Sequence, residues 1–215
     1  MRLVCKKEIW IPTWQGAVLF FLLIGALGFG AIGYLYPFLA QNDPRPNAVI
    51  TIIEGWLPDA ELLGAVKAIK PGQLVVTTGG PVIFGGILFK GKTYAEVTAE
   101  RLCLMGLNPE KIICAPAPEV QSDRTYASAM AARAVLAQRG LFGEPCNIYS
   151  VGAHSRRSLY LYKLAFGADY PIGTVSLASQ ECDLRHWWRS SLAFKQVLEE
   201  FTSWIYTLFS PCKYA

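Results

Sequence analysis

The sequence predicts an α/β fold, a doubly wound parallel sheet of about five strands preceded by one transmembrane helix. Three observations predict it. No charged side chain occurs from Ile9 to Asn42. Beyond that stretch, short apolar runs rich in β-branched residues alternate with helix-length patterns, and Gly, Pro and polar clusters separate the two. Strands covered on both faces read as continuous hydrophobic runs, and regular strand–helix alternation is the pattern of a sheet wound by crossover helices.

In chain order, residues 1–15 read as a cytoplasmic tail, 16–36 as the anchor, 37–46 as a linker, and 47–215 as one domain. Gly16 to Tyr36 supplies the roughly 20 apolar residues that about 30 Å of hydrocarbon requires. Its Val, Leu, Ile and Phe side chains favour insertion, and no ionised group opposes it. Arg2, Lys6 and Lys7 precede it, and only Arg45, beside Asp43, follows closely, so the N-terminus is expected in the cytoplasm and the domain outside. Trp10 and Trp14, and Tyr34 and Tyr36, are placed like interfacial aromatic belts. A cleaved signal peptide fits less well, because the apolar core exceeds the roughly 7 to 15 residues of such peptides and Phe38-Leu39-Ala40 is a poor cleavage site. Gly25, Gly28, Gly30 and Gly33 would allow two anchors to pack as a homodimer, or are simply tolerated in lipid. The expected location is the bacterial inner (plasma) membrane.

Within the domain, Val49 to Ile53, Leu74 to Thr77, Ile112 to Ala115, Ile148 to Val151 and Ile172 to Leu177 are the expected strands. Pro58 to Ile69, Thr93 to Leu107, Asp123 to Gln138 and about Ser155 to Phe166 are the helices between them. Pro58 suits a first helical turn, and Thr93 with Glu96 forms a capping box. Trp187 to Phe209 places Val197, Leu198, Phe201, Trp204, Ile205 and Leu208 on one face, with Lys195, Glu199 and Glu200 off it; this closing helix is expected to pack on the domain rather than lie on the bilayer. The Pro81 to Lys92 connection, with Phe84-Gly85-Gly86-Ile87-Leu88-Phe89, is unusually apolar and reads as a flap over a site or a lipid contact.

The formal charge is +4 and the pI about 8.7, but charged residues are 17% and form no basic run, so no nucleic-acid partner is indicated. Six cysteines show no CxxC and no Cys/His spacing, so no metal site is expected. Cys5 falls on the cytoplasmic side, and five others allow at most two disulfides with one thiol left over; Cys103 and Cys114 read as small core residues. The glycines form no GxGxxG, and no cofactor is indicated.

Ligands of open parallel sheets bind beyond the carboxyl ends of the strands. Glu54-Gly55-Trp56, Thr77-Thr78-Gly79-Gly80, Pro116 to Asp123, and His154-Ser155-Arg156-Arg157 follow the first four strands. Gly79-Gly80 is either a ligand loop or a plain turn. His154 to Arg157 gather positive groups where a helix begins, against its dipole, unless an anion is bound; otherwise the arginines are solvated and His154 caps the helix. At one turn's spacing Arg157 can clamp an anion while His154 moves a proton. Glu54 serves as a base or as a cap, and Asp123 or Arg124 closes the crevice.

The run of Thr78-Gly79-Gly80, Thr93 to Glu96, Ser122-Asp123-Arg124-Thr125-Tyr126 and His154-Ser155-Arg156-Arg157 resembles the SanA/YdcF/ElyC family of bacterial envelope-associated proteins over the whole domain. Gly79, Gly80, Glu96, Thr125, His154 and Arg157 match positions typical of that family. Glu54-Gly55-Trp56 replaces its glycine-rich turn, and Arg124, Ala127 and Ser128 replace an Asn and a Glu-Asn pair. The resemblance implies a Rossmann-like domain behind one membrane helix, with a role in cell-envelope or peptidoglycan homeostasis. The expected ligand is a phosphate-bearing or other anionic small molecule or lipid-linked precursor. The expected site has His154, Glu54 and Glu96 as catalytic groups, with Thr78, Gly79, Gly80, Asp123, Arg124, Thr125 and Arg157 as ligand contacts. The competing readings are a non-catalytic membrane scaffold acting through the closing helix and apolar flap, and a nucleotide-binding domain facing the cytoplasm.

Overall fold

A computed structural model describes residues 11–83 and 91–210 of the chain. Arg2, Cys5, Lys6, Lys7, Trp10, Cys212 and the flap centre Phe84 to Phe89 lie outside the described residues. The chain divides into two units, Met1–Leu35 and Tyr36–Ala215.

The first unit is carried by helix α1, Trp14–Leu39, which extends into the second. Among the described residues it is the one helix long and apolar enough to cross a membrane. It outruns the expected span at both ends and continues through Pro37.

The second unit is an α/β domain. Five parallel strands, β1 (Ile50–Glu54), β2 (Leu74–Gly79), β3 (Ile112–Pro116), β4 (Cys146–Val151) and β5 (Ile172–Leu177), lie in the order β3-β2-β1-β4-β5. Each expected strand is present, shifted or lengthened by no more than two residues at either end. Helices α2 (Asp59–Ala68), α3 (Tyr94–Leu104), α4 (Arg124–Gln138) and α5 (Ser155–Phe166) cross between them, and α6 (Ser191–Phe209) closes the chain.

The two-residue period of a strand divides the core. Ile50 and Ile52 of β1 face Tyr126, Ala129, Leu136, Leu159 and Tyr162 of α4 and α5. Ile53 faces Leu62, Ala65 and Leu102 of α2 and α3. Glu54, two residues beyond Ile52, therefore turns toward α5, a buried carboxylate on an otherwise apolar face.

The expected linker is strapped to the sheet. Asp43 exchanges two backbone hydrogen bonds with Thr174 (2.9 and 3.0 Å), and Arg45 exchanges two with the Asn147 side chain (2.7 and 3.0 Å).

Three expectations need correction. The closing helix begins at Ser191, not Trp187, because Leu184–Arg189 forms a separate 3₁₀ segment and Ser190 caps α6. Its stripe packs only in part: Val197 is fully buried, whereas Ile205 and Leu208 are 39% and 46% exposed. Cys103 is exposed rather than in the core; Cys114 is half-buried, and Cys103, Cys114, Cys146 and Cys182 are all free thiols.

Candidate functional site

A sheet in the order β3-β2-β1-β4-β5 reverses its winding between β1 and β4, and the crevice beyond the strand ends opens there. Glu54 ends β1 and His154 follows β4, so the two flank this switch point. A cavity of about 550 Å³ occupies the crevice.

The cavity is walled by nine of the ten expected site residues: Glu54, Thr78, Gly79, Gly80, Asp123, Arg124, Thr125, His154 and Arg157. Glu96 is not among them. Its carboxylate receives the Thr93 backbone N–H (2.7 Å) and hydroxyl (2.8 Å) in the capping box, and these bonds hold its pKa below the usual value. Where a catalytic carboxylate was expected, Glu96 is an exposed helix cap.

Gly79 has a packing reason that no ligand need supply. At φ +149°, a Cβ there would lie 2.6 Å from Cβ of Tyr94. Among the described residues Asp123 is the one non-glycine residue with positive φ (56°), a conformation Asp tolerates, and it precedes α4 with the Ser122 hydroxyl (3.3 Å) on its carboxylate.

The centre of the site is a cluster of four ionisable groups. His154 Nδ1 lies 2.9 Å from Glu200 Oε1, and Nε2 lies 3.5 Å from Glu54 Oε1. Arg157 donates from Nε (3.0 Å) and Nη2 (3.1 Å) to the two oxygens of Glu200. Arg157 Nη2 is also 2.9 Å from His154 Nδ1. A guanidinium cannot accept, and Nδ1 cannot both donate to Glu200 and accept from Arg157. The ion pair decides: Nδ1–H donates to Glu200, and the two cations are held close by the carboxylate they share.

Burial disfavours the His154 imidazolium, but the charges of Glu54 and Glu200 outweigh it and raise its pKa from 6.5 to about 9. Burial likewise opposes ionisation of Glu200, yet His154 and Arg157 hold its pKa at about 2. At neutral pH the site therefore contains a buried imidazolium whose Nε2 proton has no hydrogen-bond acceptor. Glu54 Oε1 approaches Nε2 at 3.5 Å, an ion-pair distance at the outer limit for a hydrogen bond.

Glu54 is 4% exposed. Its Oε1 accepts from Ser158 Oγ at 2.7 Å, while Oε2 is buried without a partner. Beside it the Tyr162 hydroxyl meets Thr78 Oγ1 at 3.1 Å; burial and the Glu54 charge push the phenol upward. Trp56 stands edge-to-face against His154, with centroids 4.9 Å apart.

The expected positive mouth is not what the fold assembles. α6 brings Glu199 and Glu200 to the cavity, which Glu54, Glu119 and Asp123 also line, against Arg124, Arg157 and His154. The negative charge that the start of α5 calls for is supplied by the chain itself, through Glu200 and Glu54. Arg156 leaves the cluster: its guanidinium lies 4.0 Å from the Phe38 ring centroid, and its Nε donates to the Phe38 carbonyl. Arg124 and the Nη1 of Arg157 have no acceptor among the described residues.

Compared with protein-family models and with curated proteins, the chain has no match.

Glu200, Ser158 and Tyr162 were not foreseen from sequence, and Trp56 was placed after the first strand without a role. Glu200 sits 46 residues from His154 in the chain, and its polar position on an amphipathic helix reads as solvent-facing. Ser158 alone carried a signal, being four residues beyond His154 on the same helical face. Among the described residues no group of three His, Cys, Asp or Glu side chains is arranged to hold a metal ion.

Proposed function

We propose that this chain is a single-pass inner-membrane protein, N-terminus cytoplasmic, whose extracytoplasmic domain binds and protonates a phosphate-bearing envelope precursor. The role is in cell-envelope or peptidoglycan homeostasis, as the resemblance to the SanA/YdcF/ElyC family implies. One observation carries the reading: at the switch point, His154 Nε2 and Glu54 Oε2 are both buried, neither has a hydrogen-bond partner, and both belong to residues walling the same 550 Å³ cavity. Unsatisfied buried polar groups are costly in a fold and are the ordinary mark of a place where something else binds.

In this reading His154 is the proton donor. Its raised pKa keeps it charged at neutral pH, so it protonates the leaving oxygen as the phosphate ester's P–O bond breaks, while Glu54 takes the proton of the water that forms the new P–O bond. Arg124 and the free Nη1 of Arg157 take the phosphate. Glu119, Asp123 and Glu199 at the rim accept from hydroxyl donors, which suits a phosphate attached to a glycan better than a bare inorganic anion.

The test is binding of a short-chain polyprenyl phosphate to the detergent-solubilised protein. The double variant H154Q/R157Q is expected to weaken binding at least tenfold, and unchanged binding rejects the site. A compartment-sensitive reporter after Ala215 tests the topology, a cytoplasmic signal favouring the inverted arrangement.

A scaffold reading is favoured by one feature, the outward Ile205, Leu208 and Phe209 of α6 (39%, 46% and 83% exposed). Under it, alanine at His154 and Arg157 leaves the cellular phenotype intact, whereas serine at Ile205 and Leu208 abolishes it.

A further inference from the structure

A second cavity, of about 180 Å³, shares Trp56, His154, Glu199 and Glu200 with the first and is otherwise lined by residues that include Glu61, Glu181 and Gln196. No Lys or Arg lines it among the described residues, and the His154 imidazolium on its wall is already paired with Glu54 and Glu200. Glu200 is already committed to His154 and Arg157. Glu181 has only the Gln196 amide, at 3.4 Å, on its carboxylate, and Glu199 has no side-chain partner among the described residues.

Glu61 is the decisive group. It is 2% exposed, its Oε1 accepts the Gln180 backbone N–H at 2.8 Å, and its Oε2 is buried with no partner. A carboxylate removed from water either takes a proton or takes a cationic donor. Two backbone features act on Glu61. It stands in the first turn of α2, where the helix dipole stabilises negative charge, and an amide N–H already donates to it. What remains is an open acceptor in a cavity whose other carboxylates reinforce the negative potential.

The cavity's dimensions and chemistry select among cations. The space holds an ammonium on a short alkyl stem, and the Trp56 indole on its wall is the kind of surface on which alkylammonium ions bind. A divalent metal is a poorer match, since among the described residues no three ligating side chains converge.

We propose that this second cavity binds the ammonium group of a ligand, with Glu61 as its direct acceptor. The two cavities share a wall, but Glu61 lines the second and not the first.

The experiment is calorimetric titration of the full-length protein in detergent micelles with methylammonium and ethylammonium chloride, against sodium chloride at matched ionic strength. Saturable binding of both amines is expected, weakened by roughly tenfold or more in Glu61→Gln, which keeps the acceptor for Gln180 and removes the charge. The double variant E181Q/E199Q is expected to weaken binding about threefold through the lost potential. Glu119→Gln, in the larger cavity, leaves it unchanged. Absence of saturable amine binding by the wild-type protein overturns the proposal, as does undiminished affinity in Glu61→Gln. Should that variant not fold, undiminished affinity in E181Q/E199Q overturns it instead. Loss of polyprenyl phosphate binding in Arg124→Gln, a residue that lines the larger cavity and not the second, with amine binding retained separates the two sites.

Discussion

Glu200→Gln is the substitution on which the electrostatics of the site can be judged. The side chain is 19% exposed and its partner His154 9%, so solvent screens the pair weakly. The rise of the His154 pKa from 6.5 to about 9 corresponds to about 3 kcal/mol favouring the charged form in the folded protein. Glu54 leads in that attraction and Glu200 follows, so removing the Glu200 charge forfeits roughly 1 kcal/mol from His154 and a similar amount from Arg157, about 2 kcal/mol in all. The drop of Glu200 from 4.5 to about 2 is largely the same attraction viewed from the other partner, and it is not added.

The pH window fixes the signature. A raised folded-state pKa on His154 stabilises fully below 6.5 and is lost as pH climbs through about 9. A depressed one on Glu200 stabilises fully above 4.5 and is lost as pH falls through about 2. Both contributions are complete between those limits, near pH 6. For a domain of this size, about 2 kcal/mol lowers the thermal midpoint by roughly 4 to 8 °C near pH 6. Near pH 10, where His154 is neutral, only the Arg157 pairing is lost and the deficit should fall to about half. Calorimetry of wild type and variant at both pH values reads the difference. A direct check is the histidine titration by NMR, tractable because the chain has two histidines, with H186Q giving the assignment. A deficit in the thermal midpoint that is equal at both pH values, or a His154 pKa that does not fall in the variant, would refute the reasoning.

Further outcomes follow from the same geometry. Ser158→Ala removes the 2.7 Å donor from a carboxylate that is 4% exposed and should cost about 1 to 3 kcal/mol in denaturant unfolding. Gly55→Ala would place a Cβ 2.5 Å from Thr78 O and 2.6 Å from Tyr94 O, both backbone atoms, so a loss of more than about 2 kcal/mol or failure to fold is expected from expression and unfolding assays. Glu96→Gln should lower stability by less than about 1 kcal/mol and leave polyprenyl phosphate binding intact, because the carboxylate caps a helix outside the cavity. Lysine at both Leu22 and Leu23 adds roughly 5 to 7 kcal/mol to insertion and should move the protein out of the membrane fraction on carbonate extraction.

The fold was legible because its signals are local. Ile50 to Ile53, Ile148 to Val151 and Ile172 to Leu177 are apolar runs that only a sheet covered on both faces accommodates, and the Thr93 cap is spelled out within four residues. The rim residues were legible for a related reason. Strand ends of a parallel sheet are at one edge by topology, so Glu54, Thr78 and His154 had to converge once the strands were placed. The charge balance of the site was not legible, because it depends on where α6 docks. Helical periodicity sorts Val197 and Leu198 from Glu199 and Glu200 by polarity, and it reads polar as outward. That inference fails where an inward polar residue meets buried partners, and Glu200 does, through three bonds with His154 and Arg157.

Glu200 changes what the neighbouring cations do. An imidazole beside two arginines alone would be pushed toward its neutral form, and the guanidiniums would attract any anion that entered. Held between Glu54 and Glu200, His154 instead keeps its proton up to about pH 9 and presents it at Nε2, while Arg157 is left with one unpaired nitrogen. The cluster is close to neutral as a whole, so it does not select ligands by charge at long range. It selects them at contact, by whether an acceptor reaches Nε2 and a donor reaches Glu54 Oε2 at the same time. A ligand carrying both, such as a phosphate ester with an adjacent hydroxyl, satisfies the two buried groups together, and a simple anion satisfies only one. Sulfate, which carries no donor at neutral pH, should therefore compete weakly with a glycosyl phosphate at this site. Equal affinities would mean that charge alone governs binding, contrary to the pairing of His154 with Glu200.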